Sequence, residues 1–235
     1  MVKCMKIRIS NNTLNPVFWN ANGTIKPEIR AALLKIAQDF YVSTELKAPI
    51  KDIYMLGSST NYNYNSNSDI DLHVVIDFRE LSNDPVLAKQ LVDSIKANWN
   101  KKHNITIKGH KVELYIQDIN ETNRSKGVYS IYNNQWKRLP VKQKLSLNKE
   151  LIQKTYSNVV RQIKASLRSQ NFDNLKLTLK YVYDLREIGL TREGDYSTEN
   201  IVFKILRSQG YLDTLKNAID AAYDKTASIK QEKKL

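Results

Sequence analysis

Two spacings of apolar residues divide this chain. Over 52–57, 69–78 and 104–117 they fall at alternate positions or in short runs, the period of a strand; elsewhere they recur every three or four residues, as in a helix. Ile7 begins a short strand that gives way to a loop around Pro16. Pro27-Glu28 opens a helix, with proline in the first turn, where its missing N–H costs nothing. Ala31, Leu34, Ile36, Ala37 and Phe40 draw its apolar stripe to about Val42. A strand over 52–57 then ends in a Gly57-Ser58 turn. Residues 58–67 read as a short polar helix or loop, crowded with Asn61, Asn63, Asn65, Ser66 and Asn67. That crowding predicts mobility or nucleotide contact, and Tyr62 and Tyr64 could stack on a base or cover the helix surface. A strand over 69–78 follows. Asn83-Asp84-Pro85 starts a helix to about Lys101, with Leu87, Leu91, Val92, Ile95 and Trp99 as its core stripe.

The segment 104–117 reads as a hairpin. Residues 127–136 read as a second one around Asn133-Asn134, with Trp136 a structural aromatic. Pro140 marks a boundary, and beyond it the pattern is helical. A helix over 146–170, which Ser146 could cap, carries Leu151, Ile152, Tyr156, Val159, Val160, Ile163 and Leu167 on one face. A helix over 172–188 buries Leu175, Leu179, Val182, Tyr183 and Leu185, and Gly189 stops it. Ser197-Thr198-Glu199-Asn200 caps a third helix ending at Gly210, and 211–228 is the last. The prediction is an α+β chain: a small mixed β-sheet core with flanking helices over 1–140, then a C-terminal helical bundle over 141–235.

The chemistry gathers around Gly57 and Ser68. Asp69 and Asp71 alternate with Ile70 and Leu72, so both carboxylates leave the same face of a strand. Paired carboxylates suit a hard cation such as Mg²⁺, which takes oxygen ligands and is shared with substrate phosphates. Glu113 alternates with Tyr115, while Val112, Leu114 and Ile116 form the opposite face. Asp118 sits at a strand end, where turn acids are commonplace. Asp77 is six residues past Asp71, roughly 20 Å along a straight strand.

The run Leu56-Gly57-Ser58, a gap, and Ser68-Asp69-Ile70-Asp71-Leu72 resembles the signature of the DNA polymerase β-like nucleotidyltransferase superfamily. The resemblance covers roughly residues 50–120. It implies a nucleotidyltransferase catalytic domain over 1–140 and a third acid on a neighbouring strand, which Glu113 fits and for which Asp118 competes, so that Asp69, Asp71 and Glu113 would hold Mg²⁺ or Mn²⁺. The implied reaction moves an NMP from an NTP to a hydroxyl acceptor, with pyrophosphate released. Two metal ions about 3.5–4 Å apart would stabilise the entering and leaving oxygens. Gly57, Ser58 and Ser68 would lie against the nucleotide, because a glycine turn lets backbone N–H groups approach phosphate. Lys180 and Arg186 are the phosphate ligands expected from the helical half, where the charged segment 184–197 reads as an inter-helix loop. Lys204 and Arg207 are alternatives. His73 shares the face of the aspartates and could touch a carboxylate or the acceptor hydroxyl. His103 and His110 lie near turns and are expected to be solvated.

Charge decides the acceptor. The formal net charge is +13. Residues 137–180 hold 11 Lys and Arg against Glu150 and Asp173, which is 11 − 2 = +9. A basic segment of this kind favours a polyanion, here an RNA end such as that of tRNA, over other acceptors. Modification of a protein or small molecule, or silent RNA binding on the same fold, are the alternatives. Cys4 is the only cysteine, which excludes an internal disulfide or a cysteine zinc site. No apolar run approaches membrane-spanning length, and no secretory h-region precedes the core, so the expected location is cytoplasmic. The Asn-, Lys-, Ile- and Tyr-rich composition indicates an AT-rich genome, and the chain resembles phage-encoded members of the superfamily, which would place it in a host cytoplasm. No His-Glu-x-x-His, P-loop or Gly-x-Gly-x-x-Gly motif is present.

Overall fold

The computed structural model describes residues 10–66, 68–142 and 147–228. The strand expected from Ile7 and the cap expected at Ser146 lie outside the described residues. The chain divides into two units, Met1–Gln143 and Lys144–Leu235, close to the boundary read at Pro140.

In the first unit the elements run α1 (Pro27–Ser43), β1 (Asp52–Leu56), β2 (Ile70–Ile76), α2 (Pro85–Lys102), β3 (Thr106–Ile107), β4 (His110–Asp118), β5 (Val128–Ser130) and β6 (Gln135–Arg138). They build a six-stranded mixed sheet in the order β3-β4-β2-β1-β5-β6. β2 and β4 are parallel because α2 carries the chain back between them; β1–β2, β3–β4, β1–β5 and β5–β6 are antiparallel. Lys108 (φ 51°) and Gly109 (φ 83°) close the β3–β4 hairpin, the paired positive φ of a type I′ turn.

Alternation sorts the sheet into two faces. Ile53, Met55, Ile70, Leu72, Val74, Val112, Leu114 and Ile116 are buried in one apolar cluster with residues of α1 and α2. Each such side chain is worth about 1.5–3 kcal/mol over its exposed state. The opposite face carries Asp71, His73, Glu113 and Tyr115, all half-buried. The open edge of β4 is covered by Asn100 of α2, whose side chain donates to Leu114 O at 2.8 Å and accepts from Leu114 N at 3.0 Å. That contact removes an unpaired strand edge.

Both expected stripes are met in large part: Ala37 and Phe40 of α1 and Val92 of α2 are buried, and Leu34, Ile36, Ile95 and Trp99 pack on the core. α1 buries Ile29, Leu33, Ala37, Phe40 and Tyr41, and Ala31 is exposed. α2 buries Ala88 and Val92, with Ile95 and Trp99 packed on the core, while Leu87 and Leu91 are exposed. The sheet shifts each stripe only at its edge, taking in Ile29, Leu33 and Ala88 and leaving Ala31, Leu87 and Leu91 outside.

The second unit is α3 (Lys149–Ser169), α4 (Phe172–Glu193), α5 (Thr198–Ser208) and α6 (Tyr211–Ala227). α5 is its centre, with Ile201, Val202, Phe203, Ile205 and Leu206 buried. Asn148 caps α3 by accepting from Leu151 N, and Ser197 caps α5 by accepting from Asn200 N. Gly189 does not stop a helix; α4 runs through it to Glu193. The segment read as an inter-helix loop is therefore mostly helix. Gly189 is buried, and a Cβ there would stand 2.5 Å from Ser197 Oγ and 2.7 Å from Glu199 Cβ. Its missing side chain lets the start of α5 lie against α4. Leu151 and Tyr183, expected inward, are exposed.

Candidate active site

Gly57 ends β1 and opens a 3-10 turn over Gly57–Thr60. Its φ of 74° lies in the left-handed region, where a side chain is strained. A Cβ on Gly57 would also fall 1.9 Å from Asp71 Oδ2. Glycine is thus required twice here, by the backbone and by the carboxylate above it. The turn is tied down: Thr60 Oγ1 donates to Gly57 O and Gly127 O, Ser59 Oγ donates to Asp69 O, and Trp19 Nε1 donates to Ser59 O. The Gly57 amide, expected to face phosphate, donates to Ser125 Oγ at 3.2 Å. Ser58 is half-buried beside it.

The Asn-rich stretch is anchored. Asn61 and Asn63 are buried, and Asn11 donates through Nδ2 to Tyr62 O and Tyr64 O. Ser68 is also buried; its hydroxyl accepts from Asn65 N at 2.9 Å, so it closes the turn that delivers the chain into β2. His110 was expected in solvent and is buried instead. Its Nδ1 bonds Ser68 O at 2.7 Å and its ring meets Phe18 edge-on at 4.9 Å. The β3–β4 turn folds it against the entry to β2, a long-range contact that local spacing cannot signal.

β2 begins at Ile70, so Asp69 precedes the strand and Asp71 is its second residue. Register places Asp71 opposite Leu56 of β1 and opposite Glu113 of β4. Glu113, the third acid expected from the family resemblance, is therefore brought beside Asp71. Glu113 Oε1 receives Lys111 Nζ at 3.0 Å, and Oε2 receives the Tyr115 hydroxyl at 3.1 Å. Burial, then the nearby Asp71 and Glu113 carboxylates, push the Tyr115 phenol well above its usual range, so it stays a donor. Among the described residues, no three His, Cys, Asp or Glu side chains converge as a ready-made metal centre. The donor chemistry nonetheless fits a hard cation, with carboxylates at Asp69, Asp71 and Glu113 and with Asp71 beside Glu113 in the register.

His73 touches no carboxylate. Its Nδ1 bonds Gln117 Oε1 at 2.9 Å and its ring stacks on Tyr115 at 4.5 Å. Desolvation depresses its pKa to about 4, so it is neutral at physiological pH. Sequence reasoning did not find Lys111, Tyr115, Gln117 or Ser125 as site residues. Lys111 and Tyr115 were findable, since they alternate with Glu113; Ser125 has no local signal.

Asp77 is held by Arg79, and Asp118 by Asn120; neither joins the trio. In the helical unit Lys180 pairs with Asp184 one turn on, and the Arg186 guanidinium lies 4.5 Å over the Phe203 ring. Lys204 is half-buried, and desolvation pushes its ammonium down to about 8. No helix among the described residues is long and apolar enough to cross a membrane.

No protein-family model and no curated protein matches the chain. Among solved structures it is similar to a spectinomycin adenyltransferase, AAD(9), from Enterococcus faecialis, solved with ATP and spectinomycin. Identity is 12%, coverage 88% of this chain and 93% of that one, and the TM-score 0.29. It is also similar to a STING-associated c-di-GMP synthase, CdnE, from Capnocytophaga granulosa, at 17% identity, 86% and 83% coverage and a TM-score of 0.19. At those scores neither carries an assignment, and the functional reading rests on the site itself.

Proposed function

We propose that this chain is a metal-dependent nucleotidyltransferase that moves an NMP from an NTP to a hydroxyl acceptor. The observation that carries the reading is the row Leu56–Asp71–Glu113 across three strands, with Gly57 tucked under the Asp71 carboxylate. The resemblance of Gly57-Ser58 and Asp69-Ile70-Asp71 to the polymerase β-like signature supports the reaction class. Asp69, Asp71 and Glu113 would hold Mg²⁺, or Mn²⁺ in its place. When bound, the cation supplies positive charge to the oxygens of the reacting phosphate.

The chain's own groups orient the rest. The Gly57-Ser58 turn forms the floor against which the triphosphate lies. The acceptor hydroxyl oxygen bonds to the α-phosphorus. The α–β bridging P–O bond breaks, its electron pair leaves on pyrophosphate, and the hydroxyl proton passes to water. His73, neutral and bonded to Gln117, takes no part in that transfer.

The acceptor we propose is an RNA end. Lys154, Arg161, Lys164 and Arg168 are exposed on α3, and the segment 137–180 that contains them has a net charge of +9, from 11 basic and 2 acidic residues. The test incubates protein and Mg²⁺ with each α-³²P-labelled NTP, cellular RNA and lysate protein. Label on RNA that disappears in Asp69→Asn/Asp71→Asn is the expected result. Label on a protein or a small molecule would keep the chemistry and replace the acceptor. No metal-dependent label on anything would count against the enzyme.

A further inference from the structure

β2 and β4 present an array of polar side chains on one face of the sheet. Register pairs Asp71 with Glu113 and His73 with Tyr115. Lys111 lies two residues before Glu113 on β4 and so leaves the same face of the strand. The array thus contains a cation of the chain's own, in direct contact with one of its acids at 3.0 Å. Lys111 and the Tyr115 hydroxyl between them engage both oxygens of Glu113. The pair is only partly shielded, with the Lys111 and Glu113 side chains 38% and 28% exposed. The ammonium can therefore leave without being stranded in a dry interior.

A divalent ion and the Lys111 ammonium require the same lone pairs on Glu113. We propose that Lys111 is a tethered competitor for Glu113, which lowers the affinity of the acidic site for divalent metal and keeps the third carboxylate off the cation at low metal concentration. This rests on the proposed reading of Asp69, Asp71 and Glu113 as metal ligands. Tyr115 completes the arrangement: it holds the other oxygen, so the carboxylate changes partner without changing place.

The experiment reads metal binding directly, by electron paramagnetic resonance of free Mn²⁺ titrated with the full chain. The wild type binds Mn²⁺ and Asp71→Asn does not; absence of binding in the wild type would overturn the metal-site reading, and this inference with it. Lys111→Met is expected to bind about fivefold more tightly, the upper end for a partly exposed ion pair. Lys111→Arg, which keeps the cation, restores the wild-type affinity. In a Glu113→Gln background Lys111→Met adds nothing. Unchanged affinity in Lys111→Met would overturn the inference alone, as would an equal gain in the Glu113→Gln background, which would mean a diffuse field rather than a shared ligand. Thermal melts of Lys111→Met and Lys111→Arg verify that both are folded.

Discussion

Gly57 and Asp71 occupy the same space. The Cβ that Gly57 lacks would lie 1.9 Å from Asp71 Oδ2, so the last turn of β1 and the acidic start of β2 fit only with glycine in place. Gly57→Ala must either move the carboxylate or open the turn, at a φ of 74° that costs a side chain about 1–3 kcal/mol. The expected outcome is a fall in nucleotidyl transfer of about a hundredfold or more, with a lower melting temperature. Transfer assays and thermal denaturation on the same sample check both, and near-normal transfer would mean that Asp71 is not where the chemistry happens.

Lys204 should make the helical unit more stable in alkali. Burial lowers its pKa from 10.5 to about 8 in the folded chain. Between those two values the unfolded chain binds more protons than the folded one, so stability rises with pH across that window. Below pH 8 both forms are charged and the cost of burying the ammonium is fully present, up to roughly 3 kcal/mol and less where its tip stays hydrated. Lys204→Met is expected to raise stability at pH 7 and to lose that advantage above about pH 10.5. Urea denaturation of both proteins at pH 7, 9 and 10.5 measures the difference.

Gly189 is a packing position within a helix. An alanine there meets Ser197 Oγ and Glu199 Cβ at 2.5 and 2.7 Å, at the first turn of the central helix α5. Although alanine is the better helix former by about 1 kcal/mol, Gly189→Ala is expected to destabilise by about 1–3 kcal/mol, because the overpacking cannot relax without parting α4 from α5. A helix-stop glycine would give the same sign but no contact with Ser197, so the paired variant Gly189→Ala/Ser197→Gly should recover part of the loss. Equal stability of the single and double variants would reject the packing account.

The acceptor proposal has a salt signature. RNA held by lysines and arginines releases counterions, and affinity falls steeply as salt rises. Replacing Lys154, Arg161 and Lys164, all exposed on α3, by glutamine should flatten that dependence by about 2–3 units of the logarithmic slope if all three meet phosphate. Fluorescence anisotropy at 50–300 mM salt reads it; an unchanged slope would remove α3 from the RNA path.

Local spacing carried much of this molecule. Alternation placed Asp71, Glu113 and the apolar face of Val112, Leu114 and Ile116 correctly, because a strand's period of two assigns faces without knowledge of its neighbours. Proline, serine and glycine signals located α1, α2, α5 and the hairpins for the same local reason. What failed depended on partners distant in sequence. The edges of the α1 and α2 stripes were set by the sheet, which took in Ile29, Leu33 and Ala88 and left Ala31, Leu87 and Leu91 exposed. His110 looked like a turn residue until Phe18 and Ser68 closed around it. Gly189 carried a stop signal, yet its neighbour was α5 and not solvent.

The sequence by itself determined which residues are acidic, which alternate and where the chain turns, since those follow from side-chain type and backbone preference within a few residues. Only the tertiary structure decided that Asp71 stands beside Glu113, that Gly57 must make room for a carboxylate, and that Lys111 holds the acid expected to meet a metal. Those three relations join β1, β2 and β4, and the register between strands is set by burying a whole face of the sheet at once.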